Sequence, residues 1–198
     1  RDEKNPELAA QAFLKAADMA ADTKLKATAD FDAATVLLNA EKFKEAIPVL
    51  IAFRTRHPDS PLSQDIPEKL AVAYEKSDDL GNAALQYQAS AARDQKKNPA
   101  ASREALWLAA ETKKKIKQPE QALKIYQQYS ADTTNPVDLR AEAVYRIYTY
   151  NDKNNLVTEA QSSLKNLAQI YDKLGDKAPP RIRYFGALAH FKMTQPLY

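Results

Sequence analysis

The stretch NAEKFKEAIPVLIAFRTRHP, residues 39–58, decides how the chain reads. It has the make-up of a turn followed by the second helix of a helical hairpin, closed by Pro58. Behind Phe43, which opens the helix, stands Ala46, with Leu50 one helical turn further along the same face. The same pairing recurs as Ala9 with Phe13, Ala83 with Tyr87, Ala122 with Tyr126 and Ala160 with Leu164. These alanines are separated by 37, 37, 39 and 38 residues. A near-fixed period of 37–39 residues predicts an all-α chain, an α-solenoid of antiparallel helical hairpins in which each repeat buries its apolar face on the next. Such a scaffold is expected to bind something, and the repeat itself does not say what.

Composition agrees with helix throughout. The chain is 44% hydrophobic, enough for a continuous core, and has only three glycines against abundant Ala, Gln, Lys and Glu. A net charge of +3 over 198 residues gives no reason to expect nucleic acid as a partner. Without cysteine there is no disulfide, thiolate metal site or cysteine nucleophile. No apolar run reaches the ~20 residues that cross a bilayer, so no membrane span is expected.

Taken in order, the breakers and apolar stripes predict a lone second helix over 6–22, hairpins over 25–56, 61–96, 99–131 and 136–174, and a first helix over 179–194. Together they form one repeat array over 1–198, expected to be a piece of a longer protein cut within a hairpin at each end. Nine of the eleven prolines fall at or near these boundaries. Pro48 does not, and is expected either to bend its helix or to delay its start. Asp78, Asp79 and Gly81 are expected to make the turn of the second hairpin.

The array resembles the tetratricopeptide repeat (TPR) family, whose pattern places Trp-x2-Leu-Gly-x2-Tyr in the first helix and Ala-x3-Phe in the second, before a proline. Leu70, Ala71, Tyr74, Ala83 and Tyr87 carry the best match. Ala34, Leu37, Ala46, Leu50, Phe53 and Pro58 carry the hairpin before it. The third keeps Ala109, Ala110, Ala122 and Tyr126 but has Lys113 where an aromatic belongs. The fourth has Tyr148 at the small-residue place and Asn151 at the aromatic one. The resemblance implies a right-handed superhelix with its concave face lined by first helices, and a non-catalytic role in binding a peptide or partner helix. Within the family, HPDSPL at 57–62 resembles a turn of bacterial periplasmic and outer-membrane-associated repeat proteins. That likeness implies a place in cell-envelope assembly, with the cytoplasm as the alternative location.

Aligning the hairpins on their alanines puts Phe31, Glu68, Trp107, Tyr145 and Tyr184 at equivalent places on successive first helices, with Glu111 one turn beyond Trp107. By the resemblance, that place faces the concave groove. Four aromatics in five places would grip an extended peptide or helix, although packing within the hairpin is the competing reading, above all for Trp107. The Lys, Asn and Arg that grip a terminal carboxylate in the best-known family mode are missing from the equivalent places. Lys113, Lys114, Lys115 and Lys117 read as a solvated helix end that complements the macrodipole. His57 reads as a helix cap and His190 as packing between hairpins. No catalytic motif, metal-ligand set or cofactor signature appears, so no enzyme, metal or cofactor is expected. Self-association of the array, or service as the substrate-positioning repeat of a larger enzyme, are the alternatives.

Overall fold

The structure, a computed structural model, describes residues 5–194. Its described residues form ten α-helices and two short 3₁₀ turns, with no strand among them. The helices are α1 (Pro6–Met19), α2 (Thr23–Asn39), α3 (Phe43–Arg56), α4 (Ile66–Lys76), α5 (Leu80–Asp94), α6 (Pro99–Lys115), α7 (Pro119–Ala131), α8 (Val137–Lys153), α9 (Val157–Leu174) and α10 (Pro180–Thr194). The chain divides into two compact units, the first through Ala105 and the second from Leu106.

Local chemistry explains where the helices begin. Asn5 and Asp22 accept the first free amides of α1 and α2, from Glu7, Leu8 and Leu25. Asp79 and Asn98 do the same for α5 and α6, from Asn82 and Ala101. Because Asp22 caps α2, α1 ends at Met19 rather than at residue 22. The hairpin expected to open at residue 61 opens in two steps. A 3₁₀ turn runs over Pro61–Asp65 and α4 follows at Ile66.

Four connections are built alike. Each has three residues between helices, and the middle one, Glu41, Asp78, Lys117 or Asn155, has φ between 55° and 65°. The amide after each of these donates to the carbonyl five residues back: Lys42 to Leu37, Asp79 to Tyr74, Gln118 to Lys113 and Leu156 to Asn151, at 2.8–3.0 Å. The middle residue's own amide closes a shorter bond, as from Glu41 to Leu38. These are left-handed C-terminal caps, and the residue that completes each cap also starts the next helix. Ala46, Ala83, Ala122 and Ala160 each stand five residues after the left-handed residue and bond back to that shared residue's carbonyl. Gly81, expected in a turn, lies inside α5, and Asp78 takes the left-handed conformation instead.

In the first unit α1, α2, α3, α4 and α5 pack consecutively. Ala10, Ala33, Leu37 and Ala46 form one apolar cluster, and Ala27, Ala34, Leu50, Phe53, Ile66 and Leu70 another. The pair expected to face inward from α1, Ala9 and Phe13, does not do so. Ala10 and Ala17 are buried, Leu14 packs beside them, and Phe13 is exposed, so the helix is turned by one residue relative to the alignment. Pro48 lies within α3, whose start is not delayed. Pro48 and Lys44 are both exposed, so the helix hydrogen bond that proline removes is lost on the outer side of α3 rather than in the core.

In the second unit α7, α8, α9 and α10 pack consecutively, and α8 also touches α10. The core gathers Val144, Tyr148, Leu164, Leu167, Ile182 and Phe185. α9 ends at Gly175, whose φ of 52° lets the chain leave the helix.

Candidate protein-binding face

The two predicted positions in the first unit have different settings. Phe31 on α2 is half-buried and packs edge-on to Phe53 of α3, with ring centroids 5.6 Å apart. It belongs to the edge of a core cluster, although the Lys69 ammonium stands 5.3 Å above its ring. Glu68 is exposed in the first turn of α4.

In the second unit two of the predicted residues meet and acquire neighbours. Tyr145 of α8 stacks on Phe185 of α10 at 4.6 Å and approaches Tyr184 edge-on at 6.4 Å. Phe185 is fully buried, whereas Tyr184 is 51% exposed, so the cluster runs from core to water. Over it lies Arg181, whose guanidinium carbon is 4.8 Å from the Phe185 centroid, 5.7 Å from Tyr145 and 5.9 Å from Tyr184. Arg181 also donates to Glu142 of α8 at 3.0 Å. Burial, more than its contact with Tyr184, raises the Tyr145 phenol above its usual range.

From Glu142 the charges continue along successive first helices. Arg146, one turn further along α8, donates to Glu142 at 3.1 Å and lies 3.7 Å from Glu111 of α6. Glu111 also pairs with Lys114 at 3.6 Å and accepts the Tyr126 hydroxyl of α7. Burial acts to raise the Glu111 carboxyl. The Tyr126 hydrogen bond with the Arg146 and Lys114 charges outweighs it and holds the group below the usual carboxylate range. Burial, and then Glu111 itself, push the Tyr126 phenol up. The outcome is an alternating series, Glu111, Arg146, Glu142 and Arg181, ending in an arginine spread over three aromatic rings.

Trp107 has a different setting. It packs edge-on to Tyr126 and Tyr129 of α7, both at 5.4 Å, and both are buried. Among the described residues its ring contacts run to α7 and none to Tyr145 or Tyr184.

Sequence reasoning missed Arg181 and Glu142. Their signal was present: the pair is 39 residues apart, one repeat, and Glu142 with Arg146 has the i,i+4 spacing of a helix-surface ion pair. The basic run 113–117, expected to be a solvated helix end, is only partly so. Lys114 and Lys115 are exposed, but Lys113 is 7% exposed with its ammonium on Gln118 at 3.3 Å, because it occupies the packing place that other hairpins give to an aromatic. His57 does sit at a helix end, its amide on the Phe53 carbonyl, with its ring 2.8 Å from the buried Asp30. His190 does not pack inside. It is exposed on α10, 3.0 Å from Asp172 of α9.

Among the described residues no group of three or more His, Asp or Glu could hold a metal ion, and no helix is long and apolar enough to cross a membrane. No protein-family model and no curated protein sequence matches this chain.

Proposed function

We propose that the chain is a helical-repeat module of tetratricopeptide type, a non-catalytic scaffold that binds a peptide or partner helix along its first-helix face. Its proposed working surface is the cluster of Tyr145, Tyr184 and Arg181, extended by Glu142, Arg146 and Glu111. The observation that carries this reading is Tyr184, half exposed beside a buried Phe185 and under an arginine. A large amphipathic ring anchored at its base and open at its edge, next to a guanidinium, is the composition of an interface hot spot. The likeness of the 57–62 turn to envelope repeat proteins supports a cell-envelope setting for the same module.

The reading is tested by selecting peptides from a displayed random library on the intact chain and measuring their affinities for variants. Tyr184→Ala with Arg181→Ala should weaken the selected peptides by about tenfold or more, as loss of an aromatic and arginine anchor does. Leu85→Ala, at an exposed site on α5, should leave them unchanged. Circular dichroism establishes that each variant stays helical. Peptides that bind the double variant as tightly as the parent would remove the face from consideration. A second reading, self-association, draws on the apolar side chains of Leu8, Met19 and Phe191 that α1 and α10 expose to solvent. Sedimentation that stays monomeric at high concentration would dismiss it.

A further inference from the structure

The first unit contains a second feature, unrelated to the aromatic cluster of α8 and α10. Between the first turns of α2 and the loop after α3 lies a cleft of about 700 Å³. Its apolar lining comes from Ala27, Pro58, Pro61 and Leu62, and its cationic lining from Lys24, Lys26 and Arg56. A smaller cavity of about 300 Å³ shares Lys26, Arg56 and His57 and reaches Ala17 on α1.

The charges here are unevenly satisfied. Asp30 is 3% exposed, and its carboxylate is occupied by His57 at 2.8 Å and Arg56 at 3.4 Å. It acts as an internal counter-ion that fixes both side chains at the junction of the two cavities, while Arg56 keeps half of its side chain in solvent. Lys24 and Lys26 have no side-chain partner among the described residues. Against these cations the larger cleft presents one carboxylate, Asp59, and the smaller one Asp18 and the already occupied Asp30. The smaller cavity is balanced, but in the larger cleft Lys24, Lys26 and Arg56 face the single carboxylate of Asp59 around an apolar floor, a surface short of negative charge.

We infer that this cleft binds an acidic peptide segment, with carboxylates on Lys24, Lys26 and Arg56 and an apolar side chain against Pro58, Pro61 and Leu62. The cations come from two elements, α2 and the end of α3, and so suit charges strung along a chain. The apolar wall between them accepts side chains that an inorganic anion lacks. Lysines supply point charges without fixed directionality, which fits a carboxylate-rich segment of variable sequence.

The experiment uses the whole chain and three probes: a blocked peptide alternating Glu with Leu, the same peptide with Gln for Glu, and inorganic phosphate. Affinity is read by fluorescence anisotropy at low and high salt, and location by amide shifts in two-dimensional NMR. The Glu peptide should bind, weaken as salt rises, and shift amides at 23–28 and 56–62. Lys24→Glu with Lys26→Glu should weaken it by about tenfold, since opposed charges replace complementary ones. Lys24 lies in the first turn of α2, where a glutamate suits the helix dipole, and circular dichroism establishes that each variant stays helical. Lys24→Gln with Lys26→Gln gives a milder second variant, expected to fall between the two. Equal binding of the Gln peptide, unchanged affinity in both variants, or shifts confined to other residues would each overturn the inference. Displacement of the peptide by phosphate at equal concentration would overturn it too, because the cleft would then recognise a bare anion.

Discussion

In the first unit the aligned positions of α2 and α4 carry Phe31 and Glu68, and in the second those of α8 and α10 carry Tyr145 and Tyr184. The two pairs end in different surroundings. Phe31 meets a phenylalanine from its own hairpin, Phe53, and joins the margin of the core, while Glu68 stands in water. Tyr145 and Tyr184 meet each other across two first helices, and Arg181 keeps the outer ring in a polar, hydrated setting. Equal register therefore fixes which direction a side chain takes but not what it becomes. That depends on the neighbours one repeat away, and Glu142 with Arg181 is such a pair. Three sets of substitutions probe this difference between the units.

The strongest attack is on the seat of α10. A Cβ at Gly186 would lie 2.2 Å from Cγ and 2.5 Å from Cβ of Tyr171 on α9, so the two helices touch where only glycine fits. Gly186→Ala must push α10 off α9, and should lower stability by about 3 kcal/mol, at the upper end of overpacking costs. The same change at Gly81, where the added Cβ would meet an Asp79 side-chain oxygen at an ordinary 3.8 Å, should be neutral or stabilising by under about 1 kcal/mol. Thermal unfolding of the two variants measures both. A harmless Gly186→Ala would mean that α10 is not held so closely. The Tyr145, Tyr184 and Arg181 arrangement would then have lost its base.

A milder attack sets the aligned aromatics against each other. Phe31→Ala removes a half-buried ring packed on Phe53 and should cost about 2 kcal/mol, less than a fully buried phenylalanine. Tyr184→Ala, at a ring 51% exposed, should cost no more than about 0.5 kcal/mol. Denaturant titration of the two variants reads the difference. Equal losses would erase the distinction between a packing position and a surface position on which the proposed face depends.

Much of this architecture was legible in sequence. The prolines at 99, 119 and 180 open α6, α7 and α10, because a first turn has no amide hydrogen bond for proline to remove, whereas Pro48, deeper in α3, removes one. The alanines after the tight turns are buried as the spacing expected, except in α1. What could not be read depends on partners distant in sequence. Glu41 and Lys117 adopt a left-handed conformation that neither residue type advertises, because the closing hydrogen bonds of the cap compensate for it. Asp30 and His57 are 27 residues apart, and only the packing of α2 on α3 brings them to 2.8 Å. Of the candidate face, the two tyrosines were visible as aligned aromatics. The charges that organise them were not, because single charged residues on helix surfaces are common and only the repeat-to-repeat register pairs them.

The subtlest attack is on the charge series through Glu111. Its carboxyl titrates below the usual range when the chain is folded, so the unfolded chain takes up the proton first as pH falls. The resulting stabilisation is complete above the ordinary carboxylate range, about pH 5 and upward. It is lost as pH drops through the lowered folded-state value. Its size is under about 1 kcal/mol, because Glu111 and Arg146 both keep part of their side chains in water and solvent screens the pair. Glu111→Gln should therefore lower stability at pH 7 while flattening the acid limb of a plot of stability against pH. Tyr126→Phe should move that limb upward in pH, since it removes the hydrogen bond that is the largest influence favouring the ionised carboxylate. Equilibrium unfolding from pH 3 to pH 7, repeated at high salt, separates these effects from packing losses, which salt and pH leave alone. If both variants trace the parent's acid limb, Glu111, Arg146, Glu142 and Arg181 are neighbours without energetic coupling, and the second unit's face reduces to its aromatic rings.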